Sequence, residues 1–272
     1  MNSFGRIFRI NIFGESHGES VGLNLDGCPA GLELSVTDFL VDIERRKGGT
    51  QKGTTPRKED DLPIFKSGLF NGKTTGAPIT ILFENNNTRS GDYEKLRAVP
   101  RPGHADFTAH AKFGGYEDYR GGGHFSGRLT VALVAAGVIA KKIIKGIEIK
   151  STILEIGGET DIEKGLDKAI ELKDSIGGIV ECRVNGLPIG LGEHFFDSVE
   201  SLISHAVFAI PAVRGIEFGT GFAAAKMFGI DHNDAIEGAS GKTTTNHAGG
   251  IVGGYTNGNE LVFRIAIKPT SS

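Results

Sequence analysis

The chain has 272 residues, 39% of them hydrophobic, and no break in composition that would mark a linker. We therefore expect one domain with a substantial core over residues 1–272. The formal net charge of −3 excludes a generally basic nucleic-acid binder. The two cysteines, Cys28 and Cys182, are far apart, and neither a leader nor a membrane-length apolar run is visible. These features predict a cytoplasmic protein without a membrane partner.

The first half of the chain predicts strands on either side of a glycine-rich loop. Apolar and polar residues alternate over residues 8–12 and 21–25, so residues 14–18 lie between two strands. A helix capped by Ser35 or Thr37 runs to about Arg46, and residues 79–83 form another strand. An apolar helix begins at Leu129, and we expect it to be buried on every side.

The second half predicts the same mixture of elements. Strands are expected over residues 147–156, 178–184 and 214–218, and a second apolar helix over residues 197–210 with Asp197 as its cap. Residues 251–267 predict a hairpin that turns at Asn257 and Gly258. The expected fold class is α+β, a β-α-β sandwich with long buried helices between antiparallel sheets.

Three glycine-bearing segments carry the candidate chemistry. Residues 14–18 contain Ser16 and His17, residues 101–106 contain His104, and residues 121–128 contain a histidine, a serine and an arginine. Histidine moves protons near neutral pH, while arginine and glycine-rich backbone bind anions. The three segments therefore predict a pocket that holds an anion and moves a proton.

A basic stretch lies close to the end of the first predicted helix. It suggests a small anionic partner, although a solvated charged loop explains it equally well. Its members are Arg45, Arg46, Lys47, Lys52, Arg57 and Lys58.

Three other motif matches are weaker. Residues 14–18 fit the Gly-x-Ser-x-Gly elbow of hydrolases, but that motif needs a helix after the serine and a strand is predicted here. Gly241-Lys242-Thr243 matches the end of a phosphate-binding loop, yet Ile236 stands where its first glycine should be. The eight histidines show no metal-ligand spacing, so no metal site is expected.

Six motifs in order along the chain resemble those of the chorismate synthase family. They are FGESHG at 13–18, RPGHAD at 101–106, DYRGGG at 118–123, IPAVRGIE at 210–217, TNHAGGI at 245–251 and KPTSS at 268–272. The resemblance implies a carbon–oxygen lyase of the shikimate pathway of aromatic amino acid biosynthesis. Its reaction is the 1,4-anti-elimination of phosphate from 5-enolpyruvylshikimate 3-phosphate, which gives chorismate.

The same resemblance implies a flavoprotein that needs reduced FMN and assembles as a homotetramer. Whether the enzyme reduces its flavin with NADPH or relies on an external reductant stays open. The flavin supplies electrons to the allylic system and recovers them, so the cofactor carries the hard step.

Site residues follow from the matching motifs. The implied catalytic residues are His17 as a proton donor to the leaving phosphate, His104 beside the flavin, Ser16 and Ser126. The implied substrate-binding cations are Arg45, Arg46, Lys52 and Arg128. The implied FMN contacts are His124, Phe125, Ser126, Pro211, Ala212, Gly253, Lys268, Pro269, Thr270, Ser271 and Ser272. For Pro211 and Gly253 the alternative is that they only shape turns, and structural roles are expected for His110, His194, His205 and His232.

The chain departs from the family at several positions. Gly48 stands where proline is common, Lys52 replaces an arginine and so loses bidentate geometry, and Leu129 replaces a glutamate. Family members also continue beyond the position of Ser272 into an Arg-His-Asp motif that helps the flavin accept the substrate proton. Two hypotheses therefore stay open: an enzyme whose remaining segment lies outside these residues, or a noncatalytic flavin- or anion-binding fragment.

Overall fold

A computed structural model describes residues 1–49, 52–54, 59–86 and 99–271. The chain divides into two compact units, Met1–Lys145 together with Ser271, and Gly146–Thr270. Each unit combines helices with an antiparallel sheet, which confirms the α+β class. The single domain and the sandwich of helices between sheets stay predictions.

The described residues of the first unit form seven strands and three α-helices. They are β1 Ser3–Phe4, β2 Arg9–Gly14, β3 Ser20–Asp26, α1 Thr37–Arg46, β4 Ile64–Ser67, β5 Leu69–Phe70, β6 Lys73–Thr74, β7 Ile79–Glu84, α2 Asp106–Phe113 and α3 Thr130–Ile143. Five strands form a sheet of order β1-β2-β3-β7-β4. Its neighbours are antiparallel, so β2 and β3 form the predicted hairpin around residues 14–18.

Helix α3 lies in the core of the first unit. It packs against α1, β2 and β3, and residues 131–140 are all buried or half-buried. Phe39 of α1 and Phe83 of β7 are fully buried in the same cluster. Burial of these side chains supplies the main stabilisation of the unit. The prediction of a helix buried on every side is confirmed only for one face, because residues 133, 134, 137 and 140 are half-buried and Lys141 is exposed.

The predicted side-chain caps of α1 are wrong. The residue before the helix is Val36, and the carboxylate of Asp38 instead accepts hydrogen bonds from Ser35 N (2.8 Å) and Ser35 Oγ (3.1 Å). A carboxylate in the first turn reaches back to the chain, as in a capping box, so Ser35 donates where the sequence suggested that it accepts.

The second unit contains six strands and three helices. They are β8 Glu148–Ile156, α4 Ile162–Leu172, β9 Gly178–Asn185, α5 Val199–Val207, β10 Val213–Phe218, α6 Gly229–His232, β11 Ile251–Val252, β12 Tyr255–Thr256 and β13 Leu261–Ile267. Four strands form a sheet of order β10-β13-β9-β8. No helix among the described residues is both long and apolar enough to cross a membrane.

Three predictions in the second unit are wrong: the cap at Asp197, the burial of the second apolar helix, and the hairpin that turns at Asn257 and Gly258. Ser198 caps α5, because its Oγ accepts from Ser201 N (3.2 Å), and none of the nine residues of α5, all described, is buried. Strand β11 turns into β12 at Gly253 and Gly254, both at positive φ, while β13 pairs with β9 and β10. Two successive glycines suit a two-residue hairpin turn that needs positive φ twice.

Candidate active site

The loop between β2 and β3 is held rigidly. Ser16 and His17 are buried, and Ser16 N donates to Gly123 O (3.0 Å). Asn85, just after β7, donates from Nδ2 to the carbonyls of Glu15 (3.0 Å) and Gly18 (2.8 Å). These bonds fix the loop from two sides, so the hydroxyl and the imidazole are presented on a stiff backbone.

The glycine-rich turn over Arg120–Phe125 brings two histidines together. Gly121 and Gly122 have φ of 60° and 79°, which favours glycine. A Cβ on Gly121 would lie 2.2 Å from the His17 ring, and one on Gly122 would lie 2.9 Å from His104 Cε1. The two imidazoles therefore lie against consecutive glycines. The three predicted segments meet here.

His104 belongs to a compact cluster at the start of α2. His104 Nδ1 lies 2.5 Å from Asp106 Oδ1, and Arg101 donates to both carboxylate oxygens from Nε and Nη2, each at 2.8 Å. Burial raises the pKa of Asp106, but the hydrogen bonds from Arg101 outweigh it and lower the pKa to about 2. Asp106 is therefore a carboxylate at neutral pH.

A cleft opens beside this cluster. Its wall combines aromatic rings with titratable groups, and all of its residues belong to the first unit. Asp118 also lines it, and the hydrogen bonds from Arg120 lower the pKa of that carboxyl despite partial burial. The residues of the cleft include His104, Asp106, Phe107, Asp118, Tyr119 and Phe125.

A second pocket contains the predicted arginines. The carboxylate of Asp61, 2% exposed, accepts from Arg46 Nη1 (3.0 Å) and from Arg128 Nη1. Arg46 also donates from Nε to Thr130 Oγ1 (3.0 Å) and from Nη2 to the carbonyls of Gly127 and Arg128. Lys47 adds a third cation to the lining and Glu59 a second carboxylate, so the pocket keeps a surplus of positive charge.

Asn85 links the two parts of the site. Arg128 Nε donates to Asn85 Oδ1 (2.8 Å), and the amide of the same side chain holds the loop that carries His17. Arg128 Nη2 further donates to Glu84 O (3.0 Å). The position of the arginine and the position of the histidine are thus fixed by one side chain.

Residues 124–126 make mainly structural contacts. His124 lies 3.0 Å from both Gly14 O and Asn2 Oδ1, and Phe125 packs against Phe113 with ring centroids 6.2 Å apart. Ser126 Oγ accepts from Arg128 N (3.3 Å), so it caps the turn before α3. The N–H of Arg128 is therefore already bonded. The predicted cofactor roles of these residues stay predictions, as does the catalytic role of Ser126.

Arg45 and Lys52 are not among the residues that line the arginine pocket. Arg45 pairs with Asp42 at 3.7 Å and its side chain is 71% exposed. Lys52 lies exposed in a turn, and Arg57 and Lys58 are outside the described residues. Their roles in anion binding stay predictions.

Two of the predicted flavin contacts of the second unit, Ala212 and Lys268, contact each other. Lys268 N donates to Ala212 O (2.9 Å), and Ala212 has a positive φ of 71°. Gly253 lies at the tip of the β11–β12 hairpin, where a Cβ would meet nothing within 4 Å. Pro269 and Thr270 follow β13 along the chain.

The end of the chain divides between the units. Ser271 belongs to the first unit, where its Oγ lies 3.9 Å from the Cβ position of Gly103, and Ser272 lies outside the described residues.

The histidines expected to be structural have ordinary partners where contacts are defined. His110 Nδ1 lies 3.1 Å from Glu117 Oε1, and His194 Nδ1 lies 2.6 Å from Tyr255 Oη. His232 stacks near His247 with ring centroids 5.7 Å apart. Within the described residues, no group of three or more histidine, cysteine, aspartate or glutamate side chains could hold a metal ion.

Three residues that organise the site were not predicted from the sequence. Asp106 stands inside a recognised motif, and its spacing of two residues from a histidine was the available signal. Asp61 and Asn85 lie in connections, far along the chain from the arginines that they bind. No periodic pattern marks such residues.

Comparisons with known proteins agree along the whole chain. The sequence model described as "Chorismate synthase" matches residues 8–272. A chorismate synthase of Chitinophaga pinensis is 73% identical over 273 residues, covering 100% of this chain and 82% of that protein. One from Dehalococcoides mccartyi is 45% identical over 302 residues, covering 100% and 83%. A crystal structure of chorismate synthase superposes with a TM-score of 0.79 at 28% identity, covering 97% of this chain and 84% of that one.

Proposed function

The chain belongs to the chorismate synthase family, and on that premise we propose how its residues carry out the reaction. The activity is that of a lyase, which removes phosphate from 5-enolpyruvylshikimate 3-phosphate by 1,4-anti-elimination and gives chorismate. The noncatalytic alternative is not favoured, because the similarity to enzymes of that name extends along the entire chain.

One observation carries the assignment of the site. His17 and His104 lie against consecutive glycines, so two proton carriers from distant segments share one small region. An elimination that loses phosphate and a ring proton needs proton transfer at more than one place. We assign His17, with Ser16 beside it, to proton donation to the leaving phosphate. His104 is assigned to the cofactor.

The arginine pocket supports binding of the substrate's anionic groups. Arg46 and Arg128 are fixed by Asp61, so an incoming phosphate or carboxylate meets cations that need no reorganisation. Lys47, in the same lining, adds a third cation and pairs with Glu44 at 3.1 Å. Arg45 and Lys52 complete the proposed set from the basic stretch.

The cleft beside His104 fits a flat ligand with an anionic ring edge. It offers aromatic side chains from Phe107 and Phe125 together with the cation of Arg101. These residues and His104 would hold FMN in its reduced form, which supplies electron density to the allylic system as phosphate leaves. Once a proton on Nε2 makes it a cation, His104 would stabilise the negative charge of the ring, and the cleft would exclude water from it.

The remaining proposed cofactor contacts come from residues 124–126, Pro211, Ala212, Gly253 and residues 268–272. Lys268 would meet the cofactor's phosphate, and the hydroxyls near the chain end would donate to it. NADPH is proposed as a source of electrons for the flavin. Its oxidation by the protein with FMN, followed at 340 nm, distinguishes an intrinsic reductase from dependence on an external one.

The proposed setting is a cytoplasmic homotetramer. Both cysteines are free thiols, as a reducing compartment favours. Helix α5 leaves apolar side chains such as Leu202 exposed, and Phe195 and Phe196 nearby in the chain are also exposed, so surface is available for association. Light scattering should report about four chains, and a monomer at micromolar concentration would contradict the assembly.

Substitution of the two histidines tests the proposed roles. His17→Ala and His104→Ala should each reduce anaerobic phosphate release with chemically reduced FMN about 10²–10⁴-fold, the usual effect of removing a general acid or base. FMN binding, measured by fluorescence, should persist. His205→Ala on α5 is the control and should keep its turnover. Rates near those of the unaltered protein for both site variants would refute the proton-transfer roles.

A further inference from the structure

The carboxylate of Asp106 is surrounded by donors. Its Oδ2 accepts from Arg101 N (3.1 Å) and Arg101 Nε (2.8 Å), and its Oδ1 accepts from Arg101 Nη2 (2.8 Å). Oδ1 also faces His104 Nδ1 at 2.5 Å. Arginine stays protonated at any physiological pH, so three of these four contacts keep their donors permanently.

The geometry determines which nitrogen of His104 carries the proton. An ionised carboxylate only accepts hydrogen bonds, so the short contact requires a proton on Nδ1. The neutral ring then has its lone pair on Nε2, the nitrogen that would lie 3.0 Å from a Cβ on Gly122. Arg101 Nη2 lies 3.1 Å from Nδ1 and 3.4 Å from Nε2, and the absence of a side chain at Gly122 leaves space beside Nε2.

We propose that Asp106, clamped by Arg101, is a positioning residue that holds the His104 proton on Nδ1 and so reserves Nε2 for proton exchange with the bound ligand. This inference rests on the proposed function of His104. Asp106 acts through the His104 ring and does not contact the substrate itself. A carboxylate that orients a catalytic histidine acts in the same way.

The variant Asp106→Asn makes the inference testable, because its amide has one preferred orientation. The Oδ2 position faces two Arg101 donors, whereas the Oδ1 position faces one Arg101 donor and the ring. The amide oxygen should therefore occupy the Oδ2 position and the NH₂ group the Oδ1 position. That NH₂ group donates to His104 Nδ1, which must then accept, and the ring proton moves to Nε2.

The measurement is the tautomer of His104, read from nitrogen NMR shifts of the protein labelled in histidine, with His104→Ala identifying the signal. We expect Nδ1–H in the unaltered protein and Nε2–H in Asp106→Asn. Asp106→Glu, which restores a carboxylate, should restore Nδ1–H. Asp118→Asn is the matched control, since Asp118 pairs with Arg120 in the same cleft, and it should leave the His104 tautomer unchanged.

Turnover is measured on the same variants. Asp106→Asn should lower kcat for phosphate release with reduced FMN by up to about 10⁴-fold, the effect of a wrong tautomer, with little change in KM. Retention of Nδ1–H in Asp106→Asn overturns the inference whatever its turnover. A shifted proton with unchanged kcat overturns the use of Nε2. Normal turnover of His104→Ala instead refutes the proposed function, while the tautomer still decides the role of Asp106.

Discussion

Two aspartates of the first unit, Asp61 buried and Asp106 half-buried, hold cations in different ways. Asp61 lies between Arg46 and Arg128, and its side chain is 1% exposed. Asp106 lies between Arg101 and His104, and its side chain is 18% exposed. Both arginines at Asp61 keep their charge at any physiological pH, whereas a histidine gains and loses its proton there. The first carboxylate can therefore only fix charge, and the second can direct a proton.

The largest expected effect comes from removing the buried carboxylate. Asp61→Ala leaves two guanidinium groups without their shared partner and should reduce the free energy of unfolding by about 3–5 kcal/mol in urea titrations. Asp42→Ala is the matched control. Asp42 also lies between two cations, Arg45 and Lys141, but these are 71% and 49% exposed.

For Asp42→Ala the expected loss is below about 1 kcal/mol, because solvent screens exposed pairs. Equal losses for the two variants would mean that burial does not distinguish Asp61, and the contrast between fixed and exposed charge would fail.

A methyl group added at Gly122 tests whether turnover depends on the position of the His104 ring beside Asp106. Gly122→Ala places Cβ 2.9 Å from His104 Cε1 and should displace the ring, which reduces turnover about 10²-fold. Gly72→Ala carries a similar positive φ of 72°, but its Cβ meets nothing within 4 Å. Both variants bear the same backbone strain, so a comparable loss of turnover in Gly72→Ala would assign the effect to strain instead of displacement.

Acid should weaken the Asp106 cluster selectively. Its folded-state pKa of about 2 lies below the ordinary value of 3.8, so the pairing stabilises the protein above about pH 4 and is lost as the pH falls towards 2. The shift corresponds to roughly 2 kcal/mol. The difference in urea stability between the unaltered protein and Asp106→Asn should shrink over that interval. A difference that is unchanged at pH 2 would show that the charge of Asp106 contributes nothing.

Local pattern predicted most of the first unit. Alternating apolar residues located β2 and β3, and the unbroken apolar run located α3, because both signals arise from neighbours in sequence. The glycine motifs around His17 and His104 do lie together, against consecutive glycines, but His17 is not among the residues that line the cleft beside His104, so a shared pocket stays a prediction. A glycine near a histidine in such a motif indicates that the backbone there must approach another group closely.

Tertiary partners were beyond the reach of such patterns. Helix α5 is apolar, yet none of its residues is buried. An apolar composition favours burial but does not determine which element packs against the helix. Asp61 reaches Arg128 across 67 positions, through a left-handed backbone conformation of φ 51° that no sequence rule marks. Only the folded chain reveals that the predicted substrate arginines already share a carboxylate.

The smallest expected loss of stability comes from an aspartate that accepts a hydrogen bond from the backbone and holds no cation. Asp161 caps α4 of the second unit, and its Oδ1 accepts from Lys164 N at 3.2 Å. Asp161→Ala removes this acceptor and should lower the free energy of unfolding by about 1 kcal/mol. Asp161→Asn keeps an oxygen that can accept the same bond, so its stability should remain within about 0.5 kcal/mol of the unaltered protein. If instead the asparagine variant lost as much as the alanine variant, charge at the helix N-terminus would outweigh the cap. Asp61, Asp106 and Asp161 would then differ in how much positive charge each one neutralises, and not in the type of group that each one binds.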